Sequence, residues 1–175
     1  AVIWRGPMLH KTIQQFLGNV EWGELDYLVM DLPPGTGDIQ LSLSQTIPLT
    51  GAVIVSTPQD LAMAVASKAI VMFKKLKVPI LGIVENMSSY MCPSCGHEEH
   101  IFGHGGAQKA SEKLEIPFLG KIPLAPIIRE TSDQGRPLAL EKDSPYGIAF
   151  QEIAANMAAQ VSVTNFRVPN LVTIQ

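Results

Sequence analysis

Cysteine is scarce in this chain: two residues in 175, lying together as Cys92-Pro-Ser-Cys95. Two are too few for a disulfide scaffold, and their spacing directs attention to metal or redox chemistry. Long apolar runs are missing too. The largest clusters are strand-sized, such as residues 52–55, well short of the roughly 18 residues a membrane-spanning helix needs. No stable membrane insertion is expected, and no charged-then-apolar leader opens the chain. Charge of one sign is also lacking. A net charge of −3 gives no electrostatic argument for a nucleic-acid partner or an anionic membrane. Charged residues make up 17% and hydrophobic ones 46%, which excludes a disordered polymer. These limits leave a compact chain, expected as one domain over residues 1–162 with a tail over 163–175. The expected compartment is the cytoplasm, with an organelle matrix such as the mitochondrial one as the alternative. The opening Ala-Val-Ile-Trp is apolar, where free termini are usually polar and frayed, so a fragment or a processed chain is expected.

The apolar pattern alternates strands with helices. Leu9, Ile13, Phe16, Leu17 and Val20 recur at helical spacing. A short buried strand is expected at 27–30, a helix at 39–47 and a strand at 51–56. A long helix at 61–76 follows, then a strand at 79–84. Residues 88–106, rich in Ser, Cys, His and Gly, read as a long loop. A helix at 107–114, a strand at 118–122 and helices at 125–134 and 146–161 complete the chain. Uninterrupted apolar strands joined by helices predict right-handed βαβ units around a parallel sheet.

Three groups of residues could carry chemistry. The first is Asp31, at the end of the expected strand 27–30, followed by Pro33, Pro34, Gly35 and Gly37. Ligands of open α/β sheets bind beyond the carboxyl ends of the strands. There Asp31 could hold a Mg²⁺-bound water while the Gly35 N–H meets a terminal phosphate. It could equally be a strand-end acid capping a tight turn. The partner that would decide is a G-x-x-x-x-G-K-[S/T] loop, and the sequence contains none; its single Gly-Lys pair, Gly120-Lys121, is followed by Ile122. The second group is Asn86 and Pro123, each after an expected strand, where a carboxamide can pair with the edge of a purine base and a proline can pack on its face. The third is Cys92 and Cys95, with His97, His100 and His104 downstream. Two thiols do not complete a tetrahedral site. His97 and His100 could close a Zn²⁺ site within one chain, or a second copy could supply two more thiolates for an iron–sulfur cluster. Residue types alone tip slightly towards zinc.

In order along the chain stand Trp4-Arg-Gly-Pro-Met8, Asp26-Tyr-Leu-Val-Met-Asp-Leu-Pro-Pro-Gly-Thr-Gly-Asp38, Val55-Ser-Thr-Pro-Gln-Asp60, Glu85-Asn-Met-Ser88, Cys92-Pro-Ser-Cys95, Ile101-Phe-Gly103 and Ile122-Pro-Leu124. Together, across residues 1–160, they resemble the Mrp/ApbC family of iron–sulfur cluster carrier ATPases, relatives of MinD among the P-loop NTPases. The resemblance implies a three-layer αβα fold with a parallel sheet, incomplete because the N-terminal P-loop strand is absent. It implies Asp31 as the Walker B acid, Gly35 in the loop sensing the γ-phosphate, and Asn86 and Pro123 at the nucleotide base. It implies Cys92 and Cys95 as ligands of a 4Fe-4S cluster shared across a homodimer, with ATP and Mg²⁺ in the full-length protein. Cluster delivery to apo iron–sulfur proteins follows as the expected role, in place of zinc. The alternative is a zinc-stapled interaction module on an NTPase fold that binds no nucleotide. A MinD-like membrane-recruited ATPase lacks support, because no basic amphipathic C-terminal helix is evident. Without a P-loop strand the sheet would have a gap at its centre. The chain by itself is therefore expected to be marginally stable and unable to hydrolyse ATP.

Overall fold

The computed structural model describes residues 6–33 and 37–167, divided between two compact units, 1–49 and 50–175. In the first unit, α1 (Gly6–Asn19) packs on α2 (Asp38–Thr46). Helix α2 stops just before Pro48, whose ring disfavours helical geometry in the residue ahead of it. The described residues between the helices, 20–33 and 37, are irregular. The Trp22 Nε1–H donates to the Phe16 carbonyl at 3.1 Å, and the Gln40 carboxamide donates to the Pro33 carbonyl at 2.8 Å.

The buried strand expected at 27–30 is not formed. Tyr27 and Leu28 are exposed, and Val29 is 74% exposed. A strand exists only through hydrogen bonds to a neighbour. Among the described residues none pairs with this segment.

The second unit holds the sheet. Strands β1 (Ala52–Ser56), β2 (Ile80–Met91) and β4 (Phe118–Leu124) are parallel, with β2 between the other two. Short β3 (Glu98–Glu99) joins β2 in antiparallel sense. Helix α3 (Asp60–Lys75) connects β1 to β2 and packs on both. Its Met63, Ala66, Ile70 and Phe73 are buried, at the spacing of one helix stripe. The helix begins one residue earlier than expected, at Asp60, whose carboxylate faces the positive end of the helix dipole. Helix α4 (Gly106–Leu114) precedes β4 and packs on β2. After β4 come α5 (Pro126–Asp133), a 3₁₀ turn at Leu138–Leu140 and α6 (Pro145–Arg167). Helix α6 runs past residue 162, where the tail was expected to begin. It is fastened to β4 by the Asn156 carboxamide, which donates to the Leu119 carbonyl at 2.9 Å.

The centre of the sheet is dry. Ile83, Val84, Leu119 and Ile70 are almost fully buried, each such side chain contributing about 1.5–3 kcal/mol over an exposed one. The architecture is a mostly parallel sheet with flanking helices, the βαβ arrangement that the alternating pattern predicts and the three-layer α/β fold that the resemblance implies.

Candidate functional site

The site is built on β2, which is longer than expected. It does not stop at residue 84 but continues to Met91, then folds back so that Tyr90 pairs with Glu99 and Met91 with Glu98. The stretch 88–106, read from sequence as a loop, therefore opens as a β-hairpin. Cys92 and Cys95 lie in its turn. The Cys92 N–H donates to the His97 carbonyl at 2.9 Å, and the Gly96 N–H donates to the Cys92 carbonyl at 2.8 Å. Gly96 supplies the left-handed conformation, φ +70°, that such a turn requires. Cys92 is half-buried and Cys95 exposed, and neither forms a disulfide. The Ser94 N–H, and after it the Cys95 N–H and side chain, hydrogen-bond the Cys92 sulfur and hold its pKa below the ordinary thiol value. Such a turn presents one sulfur with its pKa lowered and a second in the open.

Between the sheet and this hairpin β2 carries an irregularity that sequence reading missed. Asn86 pairs with Ile122 and Tyr90 pairs with Leu124, so four steps along β2 match two along β4. Pro123 sits opposite the surplus. Expected just beyond a strand ending at residue 122, it lies within β4, which runs on to Leu124. Having no N–H, it cannot hold the ladder, and β2 bulges there. Met87 takes up the turn with φ +56°, uncommon for a residue with a side chain. The Met87 N–H is satisfied by the Asn86 Oδ1 at 3.0 Å. That bond orients the carboxamide and leaves its amino group for a ligand. Asn86 and Pro123, expected on one crevice edge, thus lie on adjacent strands, with Asn86 paired directly to Pro123's neighbour.

Glu85 escaped the sequence reading as a candidate. It is buried, and its carboxylate accepts the Ala107 N–H at 2.9 Å in the first turn of α4. A carboxylate there meets both an unpaired amide and the helix dipole. The same turn presses on the 57–60 loop, where a Cβ at Gly106 would run into the Pro58 carbonyl. The legible clue was a strand-end acid followed by the Gly105-Gly106-Ala107 helix start.

Asp31 lies in the irregular, exposed chain of the first unit, and Gly35 lies outside the described residues. The one-chain zinc site is not assembled. Among the described residues no group of three or more His, Cys, Asp or Glu is placed to hold a metal ion. His100 is held through its Nδ1, which lies 3.1 Å from the Ser88 carbonyl oxygen. Among the described residues, no helix is long and apolar enough to cross a membrane.

Known proteins resemble this chain. An iron-sulfur cluster carrier protein of Escherichia coli K12 is 52% identical over 162 residues, 92% of this chain and 44% of its own length. The iron-sulfur cluster transfer protein NUBPL of Mus musculus is 49% identical over 161 residues, 91% of this chain and 50% of its own. The chain thus spans about half the length of these relatives. Among solved structures, a nucleotide-binding protein of Archaeoglobus fulgidus in complex with ADP is 46% identical, with TM-score 0.69, covering 82% of this chain and 58% of that one. The cell division ATPase MinD of Pyrococcus furiosus shares the fold at 23% identity and TM-score 0.63, over 91% and 63% of the two chains. The family described as ParA: NUBPL iron-transfer P-loop NTPase matches residues 1–158. With that match and these identities, the chain belongs to the NUBPL iron-transfer family of P-loop NTPases.

Proposed function

We propose that this chain carries the cargo-holding half of an iron–sulfur cluster carrier, with a 4Fe-4S cluster as cargo, delivered to apo iron–sulfur proteins. The observation that carries this reading is the hairpin turn, which holds Cys92 with a lowered pKa and leaves Cys95 exposed three residues on. A 4Fe-4S cluster takes four thiolates. One chain offers two, so a homodimer completes the set, each copy contributing its turn. The relatives named for cluster carriage and transfer support the same cargo.

Release is ligand exchange. Each recipient thiolate that binds an iron displaces one thiolate of Cys92 or Cys95, which then takes up a proton, and no iron changes oxidation state. A lowered Cys92 pKa favours loading at neutral pH, because fewer protons compete with iron for the sulfur. The unlinked thiols suit a reducing compartment, the cytoplasm or a mitochondrial matrix.

The nucleotide role belongs to the whole protein. In our reading residues 1–162 are part of one P-loop NTPase domain whose phosphate-gripping loop comes from sequence outside this chain. Asp31 then serves the Mg²⁺, Gly35 the terminal phosphate, and Asn86 and Pro123 the base. The structure bound to ADP in the Archaeoglobus fulgidus relative supports nucleotide binding. Nucleotide state would bias the geometry of the dimer and so the delivery of the cluster.

Anaerobic reconstitution with iron and sulfide tests the cargo. Wild type is expected to take up about four irons per dimer with a visible charge-transfer band, and Cys95→Ala to lose both. Stoichiometric zinc without iron uptake would overturn the reading.

A further inference from the structure

Two imidazoles that the cysteine turn does not use lie against each other beyond β3. The rings of His100 and His104 have centroids 4.3 Å apart, tilted by 57°. Both residues are exposed, so burial does not account for the contact. His100 is held in place. Its Nδ1 lies 3.1 Å from the Ser88 carbonyl oxygen, and a carbonyl only accepts, so Nδ1 carries the proton. The lone pair of the neutral ring is then on Nε2. The support is firm, because Ser88 is buried and its hydroxyl donates to the Ile122 carbonyl at 3.2 Å across the sheet. A backbone carbonyl on one ring nitrogen fixes the tautomer of a metal-binding imidazole and raises the basicity of the other nitrogen.

The spacing fits a shared ion. With metal–nitrogen distances of about 2.0–2.1 Å, two imidazoles at right angles on one metal have ring centres about 4.5 Å apart. We propose that His100 and His104 form a two-imidazole site for a divalent transition ion of borderline softness, separate from the thiol pair. Among the described residues no third His, Cys, Asp or Glu joins them, so water fills the remaining positions. Imidazole suits Zn²⁺, Cu²⁺, Ni²⁺ and Fe²⁺, whereas thiolates suit clusters and softer ions. The chain after β2 therefore offers two donor sets of different softness. This goes beyond the cluster reading and does not depend on it.

The test uses the full 175-residue chain carrying Cys92→Ser and Cys95→Ser, which removes the thiols, titrated with Cu²⁺ at neutral pH. One copper per chain is expected, with an electron paramagnetic resonance spectrum split by two nitrogens. Adding His100→Ala or His104→Ala should weaken binding about tenfold or more, while His97→Ala should leave it unchanged. His104→Asn, which keeps a polar side chain at that surface, serves as a second variant, and circular dichroism confirms that each is folded. Copper held equally well without His100 and His104, lost with His97→Ala, or bound through one nitrogen only would overturn the proposal.

Discussion

The state of the Cys92 sulfur rests on peptide N–H groups that belong to a turn closed at Gly96. Gly96 has open space around it, so only its backbone constrains a replacement. Forcing φ near +70° on a β-branched residue costs about 1–2 kcal/mol, and Gly96→Val should relax the turn. The sign follows directly. The native pKa is lowered, so Cys92 stays a thiolate to lower pH than a free thiol, and withdrawing the N–H donors raises it again. Alkylation of Cys92 by iodoacetamide, followed by mass spectrometry against pH, should shift to higher pH in Gly96→Val. An unmoved profile would mean that the donors do not depend on this turn. At this scale the sequence was informative about identity and silent about state. C-x-x-C named the two candidate ligands, but which sulfur has the lowered pKa depends on where Ser94 points its N–H.

Glu85 acts on an element. It closes the start of α4, and without its carboxylate the Ala107 amide would be buried and unpaired. Glu85→Ala should cost about 1–3 kcal/mol, read as a lower urea midpoint, whereas Glu85→Gln, keeping an acceptor, should cost less. Equal losses for the two would assign the effect to packing. The elements themselves were largely legible. Residues 51–56, 79–84 and 118–122 are apolar runs of strand length, and all became strands of the parallel sheet. The misses have physical causes. Residues 27–30 have the composition of a buried strand, but composition cannot supply the neighbour that a strand requires. Residues 88–91 have the composition of a loop, yet they pair because β3 returns beside them. Pro123 was expected to end a strand and instead bends its neighbour.

Across the whole molecule, protection from solvent should be uneven. Amides within 82–85, flanked by β1 and β4, are expected to exchange hydrogen slowly, and those of 27–30 quickly, over minutes to hours in deuterated buffer. Comparable protection of both segments would show that 27–30 finds a strand partner in solution. The 175-residue chain, having no G-x-x-x-x-G-K-[S/T] loop, should show no Mg²⁺-dependent ATP turnover in a phosphate-release assay. Clear hydrolysis would sink the assignment of the phosphate grip to sequence outside the chain. One feature of β2 sets a distance. From Asn86 to Tyr90 the strand spends four steps where β4 spends two, and a strand advances about 3.3 Å per residue. Two residues of surplus length, about 6–7 Å if drawn straight, are therefore stored between the proposed base contact and the cysteine turn. The proposed base contact and the cysteine turn are thus joined through a bulge that is pinned at Ser88 by its bond to the Ile122 carbonyl.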